Sequence, residues 1–326
     1  MPPVSALPTS TATLPTFFIV GAPKSGTTSL YHYLDQHPEI FMSPIKEPNY
    51  FATEIRAENV ADDLRDRVDK DLLELQSYLR GPMHEKRFGG LVSEWTDYLR
   101  LFQNARAEKA LGEASVCYLW SKTAAAQIHS KIPQAKIILI LRDPSEVAFS
   151  LYLQSVSQGL IRRSFRETIE ACLRNKSEKF SLLYPFLELG LYYEQVKRFL
   201  QLFPRQNILI LFYEEYRRQQ AEALAEIFRF LDVERGFRPN TSERHLEPRI
   251  PRFITATYFL KRFGIWRRAA DRTPRHLRPW LRDVSYRRRK AVAMSSHDRE
   301  YLVAYYRTDI EQLSILLDRD LAAWLR

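Results

Sequence analysis

Cysteine is nearly missing from this chain: 326 residues carry two, Cys117 and Cys172, each alone in an apolar run. Neither has a partner at metal-ligand spacing, so neither a disulfide framework nor a zinc site is indicated, and no metal is expected. Long apolar runs are missing as well. No stretch approaches the roughly 18 uninterrupted apolar residues of a membrane span, and the first residues lack the basic segment and long apolar run of a secretory signal. A reducing, cytoplasmic setting is the expectation. No internal repeat or low-complexity tract occurs.

What is present describes an ordinary globular protein: 45% hydrophobic and 27% charged residues, enough chain for one large or two medium domains with a real core. The charge is uneven. Lys and Arg outnumber Asp and Glu by 49 to 39, and the stretch from Lys261 to Lys290 holds twelve of the former against two of the latter, so that stretch carries the whole excess. Phe259, Phe263, Ile265, Trp266, Trp280 and Leu281 are interleaved with these charges. Such a surface suits anionic lipid, nucleic acid or an acidic substrate, or is simply a solvated face beside the core. Residues 259–290 are read as a peripheral membrane or acidic-ligand contact, with nucleic acid the least favoured partner.

Strand and helix patterns alternate along the chain. Thr16 to Val20 reads as a strand and Thr27 to Gln36 as a helix, with a glycine-framed loop between them. A second strand is expected at Glu39 to Ser43. The charged stretch from Ala52 to Arg106 reads as helices broken at "GPMHEKRFGG". A short strand is expected within "ALGEASVCYL" and a helix from Thr123 to Lys131. Ala135 to Leu141 is a near-continuous apolar run of the kind buried on both faces of a parallel sheet. Arg142-Asp143-Pro144 follows it and opens a helix to about Gln158, proline being suited to a first turn. Gln206 to Tyr213 is another buried strand, leading to a helix from about Gln219 to Leu231. The pattern predicts an α/β protein: a P-loop-like three-layer fold with a central, mostly parallel sheet and helices on both faces, its sites beyond the carboxyl ends of the strands. Residues 1–15 read as a tail, 16–255 as the domain and 256–326 as a basic, aromatic-rich helical extension packed on it.

The first loop, in "FFIVGAPKSGTTSLYHYL", has the chemistry of a phosphate site. A turn from strand into helix aims backbone N–H groups at one spot, where the helix dipole adds about half a positive charge. Lys24 adds a full charge, and Ser25, Thr27, Thr28 and Ser29 add hydroxyl donors. Gly21 and Gly26 keep the separation of a nucleotide-triphosphate loop, but Thr27 stands where that loop has its lysine, and the lysine lies three positions upstream. A nucleotide or small-molecule kinase, which needs a magnesium-binding carboxylate pair, is therefore one reading. A degenerate nucleotide site on a membrane- or nucleic-acid-binding protein is another. In the blandest reading the glycines serve only a tight turn.

"GAPKSGTTSL" resembles the 5'-phosphosulfate-binding loop of sulfotransferases that use 3'-phosphoadenosine 5'-phosphosulfate, where P-[KR]-[SG]-G-T-[TS] is the usual form. "ILRDPSEVAFS" resembles the same family's 3'-phosphate-binding strand and helix, with Arg142 at the strand end and Ser150 eight positions on. "HPEIFMSPIKEPNYFA" resembles the segment of glycan and tyrosylprotein sulfotransferases that carries a glutamate base, and Glu47 occupies that position. The resemblance covers about Thr16 to Phe253. It implies transfer of a sulfuryl group to an acceptor hydroxyl or amine, release of adenosine 3',5'-bisphosphate, and no metal. Lys24 would stabilise the leaving phosphate, Glu47 would accept the proton, and Lys24, Ser25, Gly26, Thr27, Thr28 and Ser29 would hold the 5' end.

Relatives acting on phenols use histidine as the base, and His32, His37 and His245 are the alternatives to Glu47. His37, before Pro38, reads more simply as a turn residue. Ala114 stands where several glycan enzymes have a lysine. Tyr213, in "LFYEEY", is aligned with a nucleotide contact or with the core. Arg249 or Arg252, in "RHLEPRIPRF", falls where the family closes a basic loop over the 3'-phosphate. Carbohydrate, lipid-linked glycan, polyketide-like alcohol and peptide tyrosine all remain open as acceptors, with carbohydrate favoured by the Glu47 segment.

Overall fold

A computed structural model describes residues 13–242, 249–262, 286–288 and 293–326. His245, most of the predicted tail and most of the basic segment, with Trp266 and Trp280, lie outside them. So does the membrane or acidic-ligand contact read from that segment.

The chain opens with strand β1 (Phe17–Gly21), helix α1 (Thr27–Asp35) and strands β2 (Ile40–Met42) and β3 (Ile45–Lys46). Helix α2 (Asp62–Arg80), strand β4 (Arg87–Phe88), helix α3 (Trp95–Arg100), strand β5 (Ala110–Ala114) and helices α4 (Cys117–Trp120) and α5 (Ala124–Lys131) follow. Then come β6 (Lys136–Leu141), α6 (Pro144–Ser157), α7 (Phe165–Arg174), α8 (Tyr192–Leu202), β7 (Ile208–Phe212), α9 (Tyr213–Arg218) and α10 (Gln220–Leu231). The remaining described elements are β8 (Arg249–Pro251), α11 (Ile254–Arg262), β9 (Tyr286–Arg288) and α12 (Ser296–Leu317).

Five strands form one parallel sheet in the order β2-β5-β1-β6-β7. Side chains alternate across it, as the two-residue period of a strand requires. Phe17 and Ile19 of β1 face the layer containing Leu30 and Leu34 of α1 and Ile227 and Phe228 of α10. Phe18 and Val20 face the opposite layer, with Phe149 and Leu153 of α6 and Val196 and Phe199 of α8. The sheet is covered on both faces, which is why β1 and β6 read as apolar runs without alternation. Leu302, Tyr306, Ile310 and Leu313 of α12 recur at helical spacing and are buried in that second layer.

The chain leaves β1 toward β2 on one side and later crosses to β6 on the other. The crevice beyond the carboxyl end of β1 is thus a switch point of the topology, where ligands of such sheets bind. Two local features differ from expectation. The stretch read as a break at "GPMHEKRFGG" contains β4, which pairs in parallel with β3. The helix after β7 begins at once, at Tyr213, and is followed by α10. No described helix is long and apolar enough to cross a membrane.

Candidate active site

The loop between β1 and α1 is held in a narrow conformation. Gly26, the residue before α1, has φ of 85°, in the left-handed region that glycine enters without steric cost. A Cβ there would lie 3.3 Å from Cε2 of Tyr213 and 3.4 Å from Cε1 of Tyr216, so the position also demands a small residue. No side chain caps α1, which leaves its first-turn amides directed to the carboxyl edge of the sheet. Thr27, Thr28 and Ser29 occupy that turn. Ser25 is buried and donates its hydroxyl to the carbonyl of Pro23 at 3.3 Å.

Lys24 also lies in the left-handed region, with φ of 61°. Such a backbone costs of order 1–3 kcal/mol for a side-chain-bearing residue and persists where the surroundings fix it. Two contacts do so here. Lys24 Nζ donates to Gln154 Oε1 on α6 at 2.9 Å. Its carbonyl accepts from Nη1 of Arg142 at 2.9 Å.

Arg142 follows β6 directly. It is buried, and its other terminal nitrogen bonds Glu146 at 3.0 Å. Its guanidinium lies over the ring of Tyr213, 4.7 Å from the centroid, a favourable cation-to-ring placement. Tyr213 comes from the end of β7, so loop, β6 and β7 are joined at one edge. Two turns along α6, Ser150 is fully buried and its hydroxyl has no hydrogen-bond partner. A buried orphan of this kind marks a polar site, because leaving it unmade is costly. Strand β8 packs alongside α6. Arg249 is in that strand, with its side chain outside the described residues, and Arg252 is exposed.

Glu47 approaches from the other flank. Its amide donates to the carbonyl of Ala114, the last residue of β5, at 2.7 Å, and Ala114 pairs with Ile19 of β1. Its φ is 67°, left-handed like that of Lys24. The Glu47 side chain is 36% exposed, whereas its ion-pair partner Lys46, with Nζ 2.7 Å from Oε1, is 1% exposed. The carboxylate is thus anchored at one oxygen by a buried ammonium yet reachable from the crevice. His37, by contrast, is a packing residue: buried, in tilted contact with the ring of Phe228 and edge-on contact with that of Phe237, with Nε2 2.9 Å from the carbonyl of Glu234.

Several residues at this edge gave no sequence signal of their role. Gln154 holds Lys24. Asn49 bonds the carbonyls of Glu47 and Gly90 through Nδ2, and Cys117 Sγ approaches its Oδ1 at 2.8 Å. Burial first, and then the charge of Glu47, raise the Cys117 thiol well above its ordinary value. Glu113 is fully buried with three hydroxyls around it, and burial pushes its carboxyl up to about 7.

The chain is similar to known proteins. Human carbohydrate sulfotransferase 15 is 28% identical over 255 residues, 68% of this chain and 44% of that protein. Human bifunctional heparan sulfate N-deacetylase/N-sulfotransferase 3 is 29% identical over 319 residues, 96% of this chain and 31% of its own length. The chain therefore spans less than half the length of either. The crystal structure of a sulfotransferase from Alicyclobacillus acidocaldarius superposes with a TM-score of 0.69 at 28% identity, covering 96% of this chain and 100% of that one. The family described as sulfotransferase domain matches residues 14–247, and the chain belongs to that family.

Proposed function

We propose that this protein moves a sulfuryl group from 3'-phosphoadenosine 5'-phosphosulfate to a hydroxyl or amine of a carbohydrate, releasing adenosine 3',5'-bisphosphate. The observation that carries the reading is the hydrogen bond from Arg142 to the carbonyl of Lys24, which joins two anion-binding segments 118 residues apart at one sheet edge. The donor carries phosphates at both ends of its ribose. The residues fit it: uncapped amides, Lys24 and loop hydroxyls at one end, Arg142 and the orphaned Ser150 hydroxyl at the other, and the ring of Tyr213 between the two segments. The names of the two human relatives support a carbohydrate acceptor.

In this reading Glu47 takes the proton of the acceptor oxygen or nitrogen as that atom attacks sulfur. The new bond to sulfur forms as the bond from sulfur to the bridging phosphate oxygen breaks, and the electron pair stays on that oxygen. The Lys24 ammonium and the loop amides stabilise the charge there. Lys46 Nζ, 2.7 Å from Oε1, holds the Glu47 carboxylate in place and leaves its other oxygen toward the crevice.

The test is calorimetric titration with adenosine 3',5'-bisphosphate, followed by labelled donor with N-desulfated heparin, desulfated chondroitin, a tyrosine peptide and a long-chain alcohol. Tight nucleotide binding, at least tenfold weaker in Lys24→Ala, and label entering a carbohydrate are expected. Nucleotide affinity unchanged by Lys24→Ala, or magnesium-dependent ATP turnover without response to the 3'-phosphorylated nucleotide, would overturn it.

A further inference from the structure

Behind Glu47 lies a polar cluster that the proposed chemistry does not use. Glu113, Ser115, Tyr98 and Tyr118 are each fully buried. Three hydroxyls converge on one carboxyl group: Ser115 Oγ reaches Oε1 at 2.5 Å, while Tyr98 and Tyr118 reach Oε2 at 2.7 and 3.1 Å. Two of these hydroxyls are also acceptors. Ser115 Oγ receives the backbone amide of Asn49 at 3.1 Å, and the Tyr118 hydroxyl receives that of Phe51 at 3.3 Å.

Direction distinguishes a carboxyl group from an amide at this position. A hydroxyl has one hydrogen, and when its oxygen accepts a backbone N–H, that hydrogen is left to donate elsewhere. Ser115 and Tyr118 both place theirs on Glu113, and Tyr98 adds a third. An ionised carboxylate accepts all three, and a protonated one still accepts from Ser115 and Tyr118 while donating to Tyr98, whereas an amide in its place would turn an NH2 toward a hydroxyl hydrogen. The amides held at the far end belong to Asn49 and Phe51, just after Glu47, in a segment where Glu47 and Asn49 both have left-handed backbones, with φ of 67° and 58°.

We infer that Glu113 is a positioning residue: its carboxylate orients Ser115 and Tyr118 so that each grips one backbone amide of the segment that presents Glu47. The inference rests on the reading of Glu47 as the base. Groups facing Glu113 are Tyr98 from α3, Tyr118 and Cys117 from α4, Ser115, and Lys46 from β3, whose ammonium supplies the nearby positive charge. Glu113 is fully buried behind that segment, so its effect runs through the groups it holds.

The experiment compares the wild-type protein with Glu113→Gln, both saturated with adenosine 3',5'-bisphosphate, by amide hydrogen exchange and by transfer to whichever acceptor of the panel takes label. Exchange in a peptide covering residues 45–52 should accelerate at least tenfold while that of residues 17–30 stays unchanged. Transfer should fall at least tenfold in kcat, with the donor KM within twofold. Unaltered exchange at 45–52, or a loss that follows donor KM with kcat intact, overturns the inference. Should Glu113→Gln fail to fold by circular dichroism, Ser115→Ala and Tyr118→Phe, which keep the carboxylate, decide by the same two measurements. A wild-type protein that moves no label defeats the reading of Glu47 as the base, and the exchange comparison still decides whether Glu113 holds the segment.

Discussion

Arg299 of α12 reaches Asp143, its Nη1 2.6 Å from Oδ2, while Oδ1 of the same carboxylate caps α6 by accepting from the amides of Ser145 and Glu146. One acid therefore ties the last long helix to the start of the helix that follows Arg142. Both side chains are largely buried, at 20% and 10% exposure, so solvent screens the pair weakly. Removing one partner leaves the other desolvated and unmatched.

Arg299→Ala should accordingly lower unfolding stability by about 2 kcal/mol, read as a shift of the urea midpoint at constant slope. Nucleotide affinity should weaken with it, because the cap fixes the first turn of α6 beside Arg142. A midpoint equal to wild type would show the pair to be idle.

Ser150→Ala tests the orphaned hydroxyl by setting stability against binding. Losing a buried, unpaired polar atom should leave the nucleotide-free protein as stable as wild type or more so by up to about 1 kcal/mol. Affinity for adenosine 3',5'-bisphosphate should fall about tenfold, as for loss of one charge-assisted hydrogen bond. Thermal melts with and without the nucleotide measure both quantities, and equal nucleotide-induced shifts in the two proteins would remove Ser150 from the site.

Gly26→Ala combines a left-handed backbone with a Cβ pressed against two tyrosine rings. A cost of about 1–2 kcal/mol is expected from the backbone alone, and nucleotide binding should weaken further because the first-turn amides of α1 move. Calorimetry on a variant shown to be folded checks this. Binding as tight as wild type would mean that the loop takes no part in it.

Asp309 gives a pH dependence with a definite sign. Its carboxylate accepts from the amides of Tyr192 and Tyr193 at the start of α8, yet burial dominates and pushes its pKa up to about 6. An unfolded aspartate titrates near about 3.9. The native protein thus holds this proton more tightly, and its stabilising effect is lost as pH rises from about 4 to about 6. Asp309→Asn carries no such slope. The stability difference, wild type minus variant, should fall between pH 4 and pH 6.5 and be flat above, as read by urea unfolding at several pH values; a difference that rises across that window would contradict it.

Much of the sheet was legible because its strands are buried on both faces and are framed by glycine, proline and charged residues. Lys136–Leu141 and Ile208–Phe212 fall within a residue or two of the apolar runs that announced them. The loop at Lys24 and the helix start at Pro144 were equally readable, since each is encoded by neighbours in sequence. The small sheet of β3 and β4 was not: two residues per strand carry no periodicity, and only their pairing across the chain fixes Lys46 and Glu47. The grip on Asn49 and Phe51 depends on hydroxyl directions set by tertiary packing. Arg299 was invisible for the same reason, being one arginine among many on a helix whose apolar face is far easier to read than its ion pair with Asp143.

The order of strands in the sheet has one more consequence. Arg142, Ser150 and Tyr213 all descend from β6 and β7, on one side of β1, whereas Glu47, Asn49 and Glu113 descend from β3 and β5, on the other. The two flanks share one core, with α4 and α5 packed against α8 and Arg198 of α8 donating to the carbonyls of Leu119 and Trp120. In the proposed reading the residues that hold the nucleotide and the one that takes the proton therefore come from different strands, so the loops around Glu47 can change for a new acceptor while Arg142 and Ser150 are kept.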